Sequence, residues 1–351
     1  MKIVIRHSEQ GIAIFIVMIS IFFLTGLVAI FAFSMKVETK LAMNSNNEAD
    51  MQWIGRSGIE FARYILGQQL LVPGTRADTL EQTWAGGPGG TNDWLSDINL
   101  NEWQEVGGHG KFKLTITDTE RKININLAVN NEGLMQQGLT MIGADAGDVP
   151  TIIGSIQDWI DKDDETHISG AETEYYQTLN PPYVAKNGPI DDLSELLFIK
   201  GVSSDLYWGP NSKDHPQSIF GARRINPAGA ASAMPLVSAG MVDIFTPISG
   251  GKVNVNTASP TVLMMIPGID ERTASAIKDL VSQKPLDNPG EIINAGMNPQ
   301  AVAIASQFLD VRSWTFEVDV DVVVGLSERH YFALLRRNGP RDIQILNVHW
   351  N

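Results

Sequence analysis

The sequence predicts an α+β fold: one very long N-terminal helix backed by an antiparallel sheet, with a large all-helical insertion of two small duplicated modules between the early and late strands. Three observations predict it. An apolar run at residues 12–33 passes without a break into an amphipathic helical pattern. Strand-type alternation gathers near Phe112 and again after Trp314. Between these segments, two short signatures occur twice, in the same order.

The helix comes first. From Ile12 to Phe33 the polar residues are Ser20 and Thr25, and no residue is charged. At 1.5 Å per residue this stretch is ~33 Å long, enough to cross a bilayer core. Lys2, Arg6 and His7 precede it against a lone Glu9, a bias that places the N-terminus in the cytoplasm and the rest outside. Val37, Leu41, Trp53, Ile54, Phe61, Ala62, Ile65 and Leu66 then recur at helical spacing, with no proline before Pro73. The helix is therefore expected to run from Ile12 to about Leu70, roughly 88 Å. That length is too great for a simple anchor.

The strands and the repeat follow. Phe112, Leu114 and Ile116 alternate on one face, as do Phe316, Val318, Val320 and Val322, and residues 330–336 and 343–348 supply two more apolar runs. Lys122-Ile123-Asn124-Ile125-Asn126-Leu127-Ala128 recurs as Lys252-Val253-Asn254-Val255-Asn256-Thr257-Ala258. Downstream, Ile190-Asp191-Asp192-Leu193-Ser194-Glu195 is matched by Leu286-Asp287-Asn288-Pro289-Gly290-Glu291. Asp192 with Glu195, and Asn288 with Glu291, have the spacing of a helix N-cap and its reciprocal acid, so each second signature starts a short helix. With helical patterns at 150–162 and 260–283, the repeat implies two compact modules, each led by an Asn-rich extended segment.

Composition removes several classes of function. The 351 residues carry 40 acidic against 26 basic side chains, a net charge of -14, and no cysteine. Disulfides, thiolate metal sites and cysteine nucleophiles are excluded, and an acidic surface opposes phosphate binding. Ile266-Pro267-Gly268-Ile269-Asp270-Glu271 resembles a helix-hairpin-helix turn, but Asp270 and Glu271 stand where a phosphate would sit, so a structural hairpin without nucleic acid is expected. Gly250-Gly251-Lys252 is followed by Val253 rather than Ser or Thr, and no HExxH or GxSxG pattern occurs. No catalytic residues and no enzymatic activity are expected.

The most charged stretch is Asp158 to Glu174, where seven carboxylates face a single Lys162. Such a density of like charge must be solvated or bridged by a cation. Asp161, Asp163, Glu165 and Glu172 fall on positions 1, 3, 5 and 12 of a calcium loop of EF-hand spacing, although Thr166 replaces its glycine. We expect a calcium site of different shape, built from Asp161, Asp163, Glu165, Glu172 and Glu174 with backbone oxygen from Ser169 or Gly170. A solvated acidic loop is the alternative.

The polar leader ending in Gly11, followed at once by the apolar helix, resembles the N-terminus of type IV prepilins. Asp158-Trp159-Ile160-Asp161, Ala171-Glu172 with Tyr175-Tyr176, Pro181-Pro182-Tyr183, Asn187-Gly188-Pro189, Leu193-Ser194-Glu195-Leu196 and Val253-Asn254-Val255-Asn256-Thr257-Ala258, in this order, are similar to the general secretion pathway protein K family of type II secretion minor pseudopilins. The resemblance implies a type IV pilin-like fold with a calcium-binding insertion of SAM-like or helix-hairpin-helix-like modules. It implies cleavage by a prepilin peptidase after Gly11 and methylation of Ile12. It also implies a place at the pseudopilus tip with minor pseudopilins I and J and contact with the major pseudopilin. The head would be periplasmic, on a single-pass inner-membrane anchor with a cytoplasmic N-terminus. The fifth mature residue of that family is usually Glu, whereas Ile16 stands here. Without that carboxylate the subunit cannot neutralise the ammonium terminus of one above it, which, with a bulky insertion, favours a tip position that primes assembly for export of folded proteins. A minor pilin of a type IV pilus or DNA-uptake filament is the alternative.

The expected organisation is a leader at 1–11, a transmembrane part at 12–33, stalk and first strands at 34–128, the insertion at 129–310 and the last strands at 311–351. Within the insertion, modules at about 129–210 and 252–310 flank a linker at 211–251. Mass spectrometry of protein extracted from membranes should find a chain beginning at methylated Ile12; any other start would remove the prepilin reading.

Overall fold

The structure, a computed structural model, describes residues 9–90, 93–108, 110–209 and 237–350. Most of the leader expected at 1–11, and the linker expected at 211–251 as far as residue 236, lie outside the described residues. Helix α1 spans Glu9–Gln69 without interruption. Its first half is uncovered by the described residues: Ile12 to Phe33 are exposed throughout, in an apolar window of mean hydropathy 2.9, long enough to cross a membrane. Its second half turns Ile54, Ile59, Ala62, Ile65 and Leu66 into a core. Exposure of one half and burial of the other is what the change from an all-round apolar to an amphipathic pattern requires.

That core is closed by a five-stranded antiparallel sheet. Strands β1 (Gln104–Val106) and β2 (Gly110–Asp118) lie beside β7 (Thr315–Val324), β8 (Ser327–Gly339) and β9 (Asp342–Trp350), in the order β1-β2-β7-β8-β9. Leu114 pairs with Val320 and Ile116 with Val318, so the apolar residues of both strands face α1 and the charged ones face away. Glycines let the helix approach closely. A Cβ on Gly58 would sit 2.5 Å from Val320, and one on Gly55 2.5 Å from the ring of Tyr331. Arg329 of β8 forks onto Glu48 and fixes the hairpin against the stalk.

Between β2 and β7, neighbours in the sheet, the chain leaves to build a second hydrophobic core. The first module runs through β3 (Ile123–Asn124), α2 (Ile125–Ala128), α3 (Glu132–Met141), α4 (Val149–Ile160), α5 (Thr173–Gln177), a 3-10 helix at Leu193–Phe198, α6 (Ser204–Trp208), α7 (Met241–Ile244) and β4 (Phe245–Thr246). The second runs through β5 (Val253–Asn254), α8 (Pro260–Met264), α9 (Glu271–Gln283), a 3-10 helix at Pro289–Ala295, α10 (Pro299–Ala305) and β6 (Leu309–Asp310). The insertion is thus not wholly helical, because each module's first strand pairs in parallel with its last, β3 with β4 and β5 with β6.

The duplicated signatures have a common mechanical role. Asn126 accepts from the N–H of Ile190 at 2.8 Å and donates to its carbonyl at 2.9 Å. Asn256 makes the same two bonds to Leu286, accepting at 2.8 Å and donating at 3.0 Å. In each copy the second asparagine of the heptad clasps the first residue of the downstream signature, and the first asparagine caps the turn by accepting from the second's N–H. A primary amide is one of the few side chains that can satisfy a peptide N–H and C=O together. The following 3-10 helices differ in one respect. Asp192 and Glu195 form the full reciprocal cap, whereas Asn288 accepts from Gly290.

Two expected boundaries move. Ile123, Ile125 and Ala128 pack into the insertion's core rather than the sheet's, so the inserted unit starts just after β2 and not at 129. Met241, Ile244 and Phe245 are buried in the same core, which makes residues 237–246 part of the first module instead of a linker. The helix-hairpin-helix turn forms between α8 and α9, with Gly268 at a φ of 89° and Asp270 capping α9 by accepting from Thr273.

Replacing Asn256 with Ala leaves the buried N–H and C=O of Leu286 unpaired. The expected loss is about 1–3 kcal/mol in urea unfolding monitored by tryptophan fluorescence. A loss under a few tenths would mean that the clasp is not structural.

Candidate metal centre

Helix α4 carries Asp158 in its last turn and ends at Ile160, with Asp161 as the extended C-cap residue. The register that buries Ile152, Ile156 and Trp159, with the polar Ser155 beside them, also buries Asp158 completely. Two carboxylates therefore occupy the C-terminal end of a helix, where the macrodipole favours cations. Chain reversal through residues 162–171 then brings back Glu172, which is 3% exposed.

These acids are poorly matched by protein partners. Oδ1 of Asp158 accepts from the His167 N–H at 2.9 Å and lies 2.6 Å from His167 Nδ1. Its Oδ2, Oδ1 of Asp161 and both carboxylate oxygens of Glu172 are buried without a hydrogen-bond partner. Gly170 backs onto Asp158 Oδ2, and a side chain there would collide with it. Burial, reinforced by the charges of Asp158 and Asp161, pushes the Glu172 carboxyl up to about 7. Burial, then the neighbouring Asp163, also raises Asp161.

The surrounding loop is held firmly. Trp159 stacks edge-on against Tyr176, their centroids 5.4 Å apart, and its indole N–H donates to Glu195. Asn187 donates to the Asp163 carbonyl and to Asp164 Oδ1, both at 3.1 Å. Lys200 donates to the Gly170 carbonyl at 3.0 Å while resting over the Tyr175 ring.

Of the residues expected to form the site, Asp161 and Glu172 are brought to Asp158. Asp163, Glu165, Ser169 and Glu174 are solvent-exposed, and the Gly170 carbonyl already has the Lys200 ammonium. Asp163 Oδ1 accepts from the N–H of Glu165, the local turn that its i, i+2 spacing produces. Asp158 and His167 were not expected as ligands. The signal for Asp158 was its i, i+3 relation to Asp161 at the end of a helical pattern, which puts the two on one face. Asp158, Asp161 and His167 offer three ligand atoms that lie within 4.8 Å of one another. Orphaned, buried oxygens on hard carboxylates suit a divalent cation such as calcium. At the N-terminal positions of interest, Gly11 lies within α1, and Ile12 and Ile16 are exposed on it.

Comparison with known proteins matches residues 112–208 to a family model described as "Type II secretion system (T2SS), protein K". The chain is 26% identical over 251 residues to type II secretion system protein K of Pectobacterium carotovorum subsp. carotovorum, covering 66% of this chain and 68% of that protein. It is 24% identical over 219 residues to the protein of the same name from Klebsiella pneumoniae, covering 58% and 61%. In structure it is similar to a chain of the GspK-GspI-GspJ complex from the type 2 secretion system of enterotoxigenic Escherichia coli, with a TM-score of 0.62 and 16% identity over 88% of this chain and 99% of that one.

Because the Glu172 carboxyl is raised in the fold, the metal-free folded state holds a proton that the unfolded state has released between about pH 4.5 and 7. In chelator, stability should therefore fall as pH rises through that window and level off above it. Glu172→Gln should flatten the fall; an unchanged slope in thermal melts would show that Glu172 does not titrate as its surroundings demand.

Proposed function

We propose that the chain is a type II secretion system protein K, the family whose model matches residues 112–208, and that it acts as a minor pseudopilin at the tip of the pseudopilus. The observation that carries this reading is the architecture. A stalk helix with an uncovered apolar half is joined to a pilin-like sheet, and a second hydrophobic core stands at the far end. The uncovered half provides a single-pass anchor and a surface for helices of neighbouring subunits. The inserted modules widen the head beyond what a closely wound shaft accommodates, which favours an end position.

Ile16 supports the same placement. It lies exposed on the stalk where a shaft subunit would carry the carboxylate that neutralises the terminus of its neighbour. We further propose cleavage after Gly11 by a prepilin peptidase with methylation of Ile12, a periplasmic head, and assembly with minor pseudopilins I and J beneath it, the major pseudopilin following. In such an arrangement the tip complex primes growth of the filament that drives folded proteins across the outer membrane.

Calcium is assigned to the insertion. Asp158, Asp161 and Glu172 would hold it, and the ion would supply the positive charge that their orphaned oxygens lack. Binding to the folded state alone stabilises by RT ln(1 + [L]/Kd), about 2.7 kcal/mol at a hundredfold excess over Kd. Full-length protein in detergent should therefore melt at higher temperature with calcium than with chelator, and Asp158→Asn with Glu172→Gln should abolish the difference. For the tip assignment, affinity-tagged protein extracted from membranes should bring down minor pseudopilins I and J together. Recovery with pilus components alone would contradict it.

A further inference from the structure

Calcium uses oxygen ligands, yet a His167 ring nitrogen joins oxygens of Asp158 and Asp161, the three atoms lying within 4.8 Å of one another. Its Nδ1 is 2.6 Å from Asp158 Oδ1 and 3.5 Å from Asp161 Oδ2, facing both carboxylates at once. The backbone enforces this position, because the His167 N–H donates to the same Asp158 oxygen. Ligand atoms bound to one small divalent ion at about 2.0–2.2 Å stand roughly 3 Å apart; the two nitrogen-to-oxygen spacings here, 2.6 and 3.5 Å, bracket that value. The fully buried Asp158 keeps Oδ2 unpartnered, and the nearly buried Glu172 keeps both of its oxygens unpartnered beside these groups. One imidazole nitrogen with carboxylate oxygens is a donor set for a borderline first-row metal rather than for calcium alone.

We propose that Asp158, Asp161 and His167, with Glu172 as a further carboxylate ligand, form a mixed nitrogen and oxygen site that takes a zinc-class divalent ion in competition with calcium. This rests on the reading that the cradle binds a divalent cation. His167 is the residue that separates the two ions: zinc uses its Nδ1, and calcium draws on the carboxylates. On binding, the metal takes the Nδ1 lone pair of the neutral ring, whose single proton then sits on Nε2; a proton on Nδ1 in the metal-free protein moves to Nε2 through solvent, so the ring stays neutral. The half-exposed ring gives the ion a path from solution.

The test uses full-length protein in detergent, stripped with chelator and titrated separately with zinc, cobalt and calcium chlorides. Cobalt should bind one to one with the visible d–d absorption of a low-symmetry nitrogen and oxygen site, and zinc should displace it. His167→Ala should weaken zinc and cobalt by about tenfold or more while changing calcium affinity by less than about threefold. In unaltered protein, the imidazole NMR signals of His167 should shift with zinc and stay in place with calcium, a readout that does not depend on how well the variant folds. Zinc affinity unchanged in His167→Ala, or His167 signals unmoved by zinc, would overturn the proposal and leave the calcium assignment standing. Failure of all three metals to bind would instead overturn the cation reading itself.

Discussion

Arg337 is the point on which the two halves of the head depend. Wholly buried near the end of β8, it donates from Nη2 to Asp78 Oδ2 and to the Ser313 carbonyl, each at 2.6 Å, and its guanidinium lies over the Phe316 ring. Asp78 in turn accepts from the Ser313 N–H, and its carbonyl accepts from Asn254 of the second module. Asp118, the last residue of β2, accepts from the hydroxyls of Ser313 and Thr257 at 2.7 Å. Sheet, post-stalk loop and insertion thus meet in one dry polar cluster. Burial pushes the Asp118 carboxyl up, and these two hydroxyl bonds pull against that shift. Removing one partner of such a buried pair typically costs 3–5 kcal/mol, because the other is left charged and unpaired.

The constraint behind that cluster is topological. Strands β2 and β7 are hydrogen-bonded neighbours although the contacts between their ends, such as Thr119 to Thr315, join residues 196 apart in sequence. An insertion of that length can close its ends at modest entropic cost, since the cost grows only with the logarithm of length. It needs its own core to do so, and the two hydrophobic clusters are separate. Polar bonds at the ends then fix the orientation of the insertion, which two apolar cores alone would leave loose. The same logic explains the parallel strand pairs. Each module returns its chain to where it started, so modules can be added in series without disturbing the sheet.

The acidic cradle follows a related principle in the opposite sense. At the junction, Asp78 pairs with Arg337 and Asp118 accepts from two hydroxyls, although Asp78 Oδ1, Asp118 Oδ1 and Arg337 Nε and Nη1 keep no hydrogen-bond partner. In the cradle the balance shifts to carboxylates: Asp158 is met on Oδ1 by His167, while its Oδ2, Asp161 Oδ1 and both Glu172 oxygens are left without a partner. Asp158 and Asp161 at the end of α4 meet Glu172 at the start of α5 across a loop that Trp159, Asn187 and Lys200 anchor. A rigid shell around an uncompensated charge is what a cation site requires, because the shell carries the strain until the ion binds.

Much of the fold is legible in the sequence because its signals are periodic. Alternation at Phe112, Leu114 and Ile116 and the unbroken pattern from Ile12 to Leu66 report one residue at a time which face is apolar, and that needs no knowledge of the rest of the chain. The paired heptads are equally visible as a repeat. What the sequence could not say is which atoms the asparagines clasp, since Ile190 is 64 residues from Asn126 and Leu286 is 30 from Asn256. The acidic cradle shows the same division. Composition marked Asp158 to Glu174 as the acidic stretch, but linear spacing favoured Asp163 and Glu165, which turn outward. Asp158 and His167 enter because α4 must bury Ile152, Ile156 and Trp159, and that register carries Asp158 inward. Local patterns therefore determined the elements and the place of the charge. Only tertiary packing, by choosing which side of a helix is removed from water, decided which carboxylates are stripped of solvent and so which can demand a metal.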